Sequence, residues 1–119
     1  MQTNEEVDKF LNELKEKIKV FDIAFRERNV NQAGLAELGL MPSQREEYIL
    51  KLTSENYCSG PTHDTYDPSK PDYYVFGTQI RNKEVYIKIS LGLPNKMVDC
   101  MSFHIAKHRL NFPLKETNS

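Results

Sequence analysis

The sequence predicts an α+β fold, with N-terminal helices packed on one face of a mainly antiparallel β-sheet that ends in a three-stranded C-terminal meander. Apolar residues of the N-terminal half recur mostly at three- and four-residue spacing, whereas from Tyr73 onward they alternate singly. Only a few residues separate the successive alternating runs, and connections that short require antiparallel neighbours. With 119 residues there is room for one domain around one core, spanning 1–119.

Val7, Phe10, Leu11, Leu14 and Ile18 form the stripe of a first amphipathic helix, and Thr3 and Glu6 have capping-box spacing ahead of it. Glu5, Lys9, Glu13, Lys15, Glu16 and Lys17 make its solvated outer face. Over residues 20–26 the period changes: Phe21, Ile23 and Phe25 alternate with their neighbours, as in a first strand. Asn29, Val30 and Asn31 read as a break, followed by a short helix over 32–38 that stops at Gly39, with Leu40 reaching back toward Leu35. Ser43 and Glu46 repeat the capping-box spacing and open a third helix to about residue 52, with Tyr48, Ile49 and Leu52 inward. Residues 53–72 contain Pro61, Pro68, Pro71 and Gly60 among polar residues and read as a long flexible loop, either a flap over a site or a partly disordered stretch. Strands are then expected over 73–80, 84–91 and 97–106, with turns at Arg81-Asn82-Lys83 and 92–96. Residues 111–119 read as a loose tail.

An apolar fraction of 39% and a charged fraction of 28% exclude a disordered chain. No window is apolar enough for a membrane span, and the acidic N-terminus does not resemble a secretion signal, so a soluble cytoplasmic protein is expected. Cys58 and Cys100 stand far apart and are expected as free thiols. A net charge of −1 gives no global attraction to nucleic acid, so any such surface must be a local patch. Neither a Gly-rich phosphate loop, a nucleophile elbow nor an Asp-rich metal signature appears, and no cofactor is expected. His104 and His108 would need a helix and further ligands to hold a metal, so no metal residues are assigned.

Strand phase points to the chemistry. Val85, Ile87, Ile89 and Leu91 face one way, and Tyr86, Lys88 and Ser90 the other. If Met101, Phe103 and Ile105 are the core set of the last strand, Cys100, Ser102 and His104 join Tyr86 and Lys88 on the open face, with Tyr74 or Tyr73 beside them. An imidazole can trade protons near neutrality, an ammonium can hold a phosphate, and a phenol can stack on a base or donate its hydroxyl.

Leu38-Gly39-Leu40, the helix before Glu55-Asn56-Tyr57, the strand Val85-Tyr86-Ile87-Lys88-Ile89 and the run Ser102-Phe103-His104 resemble the MqsR family of type II toxin–antitoxin toxins, across roughly residues 35–105. The resemblance implies a RelE-like fold and a metal-independent, sequence-selective endoribonuclease acting on mRNA from the concave side of the sheet. It implies a cognate antitoxin protein as partner, with neither membrane nor direct DNA binding. The family's active-site tyrosine falls on Tyr86 and its basic residue after Ser-Phe on His104. Its other lysine falls on Cys58 and its glutamine near Val75, with Tyr74 where the family has tryptophan; these are departures. On this reading His104 does acid–base work, Tyr86 orients or transfers a proton, and Lys88 stabilises the phosphate. Ser102 and Tyr74 lie along the RNA path, and Arg81, Lys83 and Lys107 guide its backbone from the rim. The alternative is a catalytically inactive, toxin-like binding module on the same fold.

Overall fold

A computed structural model describes residues 2–115. Helix α1 (Asn4–Phe21) begins with the expected capping box: the Thr3 hydroxyl accepts from the Glu6 N–H at 3.2 Å, and the Glu6 carboxylate accepts from the Thr3 N–H at 3.1 Å. The five stripe residues are all buried. Thr3→Ala is expected to lower stability by about 1 kcal/mol. A lower urea midpoint at unchanged slope measures this, and an unmoved midpoint rejects it.

The helix runs on through Phe21, so the strand expected over 20–26 shrinks to β1 (Ile23–Phe25). Asp22 is the reason. With a positive φ of 73° and an extended ψ of −174°, it donates its N–H to Ile18 O at 2.8 Å and accepts the Ile23 N–H on its carboxylate at 2.8 Å. Helix becomes strand within one residue. Helix α2 (Asn29–Leu38) starts three residues before its expected position, because the Asn29 to Asn31 break is in fact its first turn. It ends as expected, with Gly39 left-handed and the Leu40 N–H donating to Leu35 O at 3.0 Å. Helix α3 (Gln44–Leu50) lacks the Ser43 cap. Ser43 is itself helical, and the Gln44 side chain accepts the Met41 N–H instead, at 2.7 Å.

The stretch 53–72 corrects the long-loop expectation. It holds a 3-10 turn (Ser54–Asn56) and an edge strand, β2 (Tyr57–Thr62). Register shifts on either side of Ser59 let Gly60 and Pro61 sit in this strand, since an outermost strand needs only one row of hydrogen bonds. Strands β3 (Tyr73–Ile80), β4 (Lys83–Ser90) and β5 (Val98–Ile105) form the meander. Arg81 and Asn82, with φ of 51° and 68°, make the two-residue turn of the β3–β4 hairpin. The result is an α+β fold with a five-stranded mixed sheet in the order β1-β5-β4-β3-β2, in which only β1 and β5 are parallel. Among the described residues, no helix is long and apolar enough to cross a membrane.

Val85, Ile87 and Ile89 of β4 are fully buried beside Phe76, Ile80 and Phe103, under the α1 stripe. A bulge in β5 then corrects one expectation. Lys88 pairs with Ser102 but the next residue, Ile89, pairs with Cys100, so Met101 is the extra residue. Cys100 therefore turns into the core cluster, not onto the open face, while Met101 leaves the core set. Ser102 and His104 keep their expected phase. Beyond β1 the β5 edge is completed by a side chain: buried Asn31 of α2 accepts the Phe103 N–H at 3.2 Å and donates to Met101 O at 3.5 Å and Arg26 O at 2.8 Å.

Candidate active site on the open sheet face

The open face carries two adjacent cross-strand pairs. Tyr86 of β4 lies opposite His104 of β5, and Lys88 opposite Ser102. Side chains opposed in this way are held closer and more rigidly than groups on loops. The Tyr86 and His104 rings stack with centroids 5.3 Å apart and 24° between planes. The Lys88 ammonium sits 4.1 Å above the centre of the Tyr73 ring, a cation–π contact that holds the charge over the sheet. Ser102 is buried and the other members are half-buried.

Each group has a definable proton state or partner. His104 Nδ1 stands 2.9 Å from the Ile105 carbonyl, which can only accept. Nδ1 therefore carries the proton of the neutral ring and leaves Nε2 bare, ready to act as a base. Burial, with Tyr73 and Cys58 nearby, raises the Tyr86 phenol, so it stays neutral and keeps a proton that it can donate. Cys58, on β2, lies close enough to feel Glu84. Burial and that charge push its thiol up to about 11, so it is a neutral thiol at neutral pH.

The other candidates separate. Tyr74 faces the helices, stacked on Phe10 at 3.8 Å and donating its hydroxyl to Gln2 at 2.7 Å; the tyrosine offered to the open face is Tyr73. Arg81 leans its guanidinium against Gly39 at the end of α2 and does not line the cavity beside Tyr86 and His104. Lys83 pairs with Ile80 at the hairpin end, in phase with the core-facing Val85. Lys107 does belong: it lines a cavity of about 260 Å³ with Tyr86 and His104.

Two chain segments border this floor. On one side Asp64, Lys70 and Pro71 close a cavity of about 250 Å³ over Ser90, Asp99 and Met101. On the other, the chain after β5 doubles back across the sheet. The Leu110 N–H donates to the Glu84 carboxylate at 2.7 Å, and Leu110 and Phe112 fill the space that a side chain at Gly77 would need. The loose-tail expectation for 111–119 thus meets an ordered return over 110–115, while 116–119 lie outside the described residues. Sequence alone does not choose between Tyr73 and Tyr74, and it does not foretell the returning tail. The alternation of Leu110, Phe112 and Leu114 is the available signal for an extended segment seeking a surface.

Among the described residues, no three His, Cys, Asp or Glu side chains gather as a metal site. Comparisons with protein-family models, curated proteins and solved structures return no match. The likeness to the MqsR family therefore stands on the sequence motifs alone.

Proposed function

We propose that this protein is a metal-independent endoribonuclease of the MqsR kind, a RelE-like toxin that cleaves mRNA through the substrate's own 2′-hydroxyl and is restrained by an antitoxin protein. The observation that carries the reading is the stacked Tyr86–His104 pair one step along the strands from Lys88 and Ser102. Cleavage of this type needs a base for the 2′-hydroxyl, a donor for the charged phosphorane and an acid for the leaving oxygen. His104 Nε2 suits the first task. Lys88, held over Tyr73, suits the second, with the neutral Tyr86 phenol adding a hydrogen bond. The floor between the 64–71 segment and the returning tail fits an extended single strand, whose bases can stack on the rings of the open face. Lys88 and Lys107 supply the local positive charge that a chain of net charge −1 otherwise lacks.

Purified protein and a defined single-stranded mRNA fragment in the presence of chelator test this. Wild type is expected to cleave, Lys88→Ala to lose roughly 10²-fold in rate, and Tyr86→Phe less, as for removal of one oxyanion donor. Cleavage that requires added divalent metal, or a Lys88→Ala rate equal to wild type, contradicts the scheme.

The second reading, an inactive binding module, is favoured by one observation. Cys58, where the resemblance expects a lysine, is a neutral thiol beside the Glu84 carboxylate, so positive charge is missing there. Growth arrest on expression without a partner separates the two: the toxin arrests growth and the binding module does not.

A further inference from the structure

We propose that His108 is a second proton-transfer group of this site, the general acid that protonates the departing 5′-oxygen while His104 deprotonates the 2′-hydroxyl. This rests on the ribonuclease reading above. The chain leaves β5 after Ile105, bends at Lys107 and His108, and is pinned where the Leu110 N–H meets Glu84 and where Leu110 lies on Gly77. Those two anchors place His108 in the wall of the same cavity of about 260 Å³ that Tyr86 and His104 line, with Lys107 beside it. One imidazole comes from the sheet floor and the other from the strap across it.

The chemistry asks for two groups. In an in-line displacement the 2′-oxygen enters and the 5′-oxygen leaves on opposite sides of phosphorus, so one side chain cannot serve both ends at once. His104 is fixed at the floor with Nε2 bare, as a base requires. Among the other groups at the cavity, the Tyr86 phenol is raised by burial and gives up its proton poorly at neutral pH, and the Lys107 ammonium suits charge compensation. An imidazolium is the acid matched to neutral pH.

In the step itself, His104 Nε2 takes the 2′-hydroxyl proton and the 2′-oxygen bonds to phosphorus. The bond from phosphorus to O5′ breaks with its electron pair on oxygen, and the His108 imidazolium delivers a proton there. The products are a 2′,3′-cyclic phosphate and a 5′-hydroxyl; no water is consumed, and the proton gained by His104 and lost by His108 re-equilibrates through solvent.

The test uses the full chain, a single-stranded RNA oligonucleotide whose cleavage site has been mapped, and the same oligonucleotide with sulfur replacing the bridging 5′-oxygen at that site. A thiolate leaves without protonation, so only the acid becomes dispensable. His108→Ala is expected to slow cleavage of the oxygen substrate by about 10²-fold or more and to fall within about threefold of wild type on the sulfur substrate. His104→Ala is expected to be slow on both. His108 is exposed, so its removal leaves packing unchanged, and circular dichroism checks this. Equal losses on both substrates overturn the acid role in favour of a structural one, and an unchanged rate on the oxygen substrate removes His108 altogether. A wild type that cleaves no RNA sinks the ribonuclease reading itself, and this proposal with it.

Discussion

His104→Ala is expected to lower the rate of RNA cleavage by about 10²–10⁴-fold, the range for loss of a positioned acid–base group. That corresponds to roughly 3–5 kcal/mol of barrier. The magnitude follows from how many constraints the ring satisfies. Its strand position sets it opposite Tyr86, the Ile105 carbonyl fixes which nitrogen is bare, and the phenol ring limits its swing. Gly34 of α2 packs closely on the His104 backbone: a methyl group at Gly34 would lie 3.1 Å from the His104 Cα, so the strand has little freedom there. Pre-positioning of this kind is what converts a modest base into an effective one. The ring lies outside the buried core cluster, so the fold is expected to survive its loss. His104→Gln is the control, keeping a polar side chain of similar reach that cannot exchange a proton. It should be as slow as alanine. Single-turnover cleavage in chelator, with circular dichroism alongside, measures both, and a rate equal to wild type in either variant removes His104 from the chemistry.

The pair at the heart of the site was legible because β4 alternates without interruption. Val85, Ile87 and Ile89 can only face the core, which sends Tyr86 and Lys88 outward whatever their partners do. The β3–β4 turn was legible too, since Asn82 tolerates the left-handed backbone that a two-residue hairpin demands. The phase of β5 was only half readable. Cys100 and Met101 are both apolar, so either could continue the inward set, and the choice belongs to the partner strand. The spacing of Val98, Cys100, Phe103 and Ile105 carries one three-residue step, which is the mark of a bulge. Tyr73 and Tyr74 are equally suited to a strand, and only the stacking of Phe10 on Tyr74 decides which of them goes inward. The place of His108 was not readable from local pattern at all. It depends on where a tail crosses the sheet, and that is fixed by Gly77 and Glu84 more than twenty residues earlier in the chain.

Asn31→Ala is expected to cost about 2–4 kcal/mol, a large share of the roughly 5–15 kcal/mol that holds a domain of this size together. As a sequence feature Asn31 looks like part of a break, and nothing local marks it as structural. In the fold it is 1% exposed and stands in for a missing strand. β1 pairs with β5 only along Val98 to Cys100, and beyond that the edge of β5 meets the start of α2. There the Asn31 side chain supplies an acceptor to the Phe103 N–H and donors to the carbonyls of Met101 and Arg26, the same groups a neighbouring strand would offer. Alanine leaves the buried Phe103 N–H and Met101 carbonyl without this partner and too enclosed for water to replace it easily, and an unpaired buried group costs more than a hydrogen bond contributes. The loss should appear as a lower urea midpoint at unchanged slope, together with faster hydrogen exchange at the Phe103 amide. Because Phe103 directly precedes His104, the variant should also cleave RNA more slowly at temperatures where it remains folded. A midpoint within about 0.5 kcal/mol of wild type, the usual scatter for surface substitutions, would mean that the β5 edge is held by the packing of α2 alone.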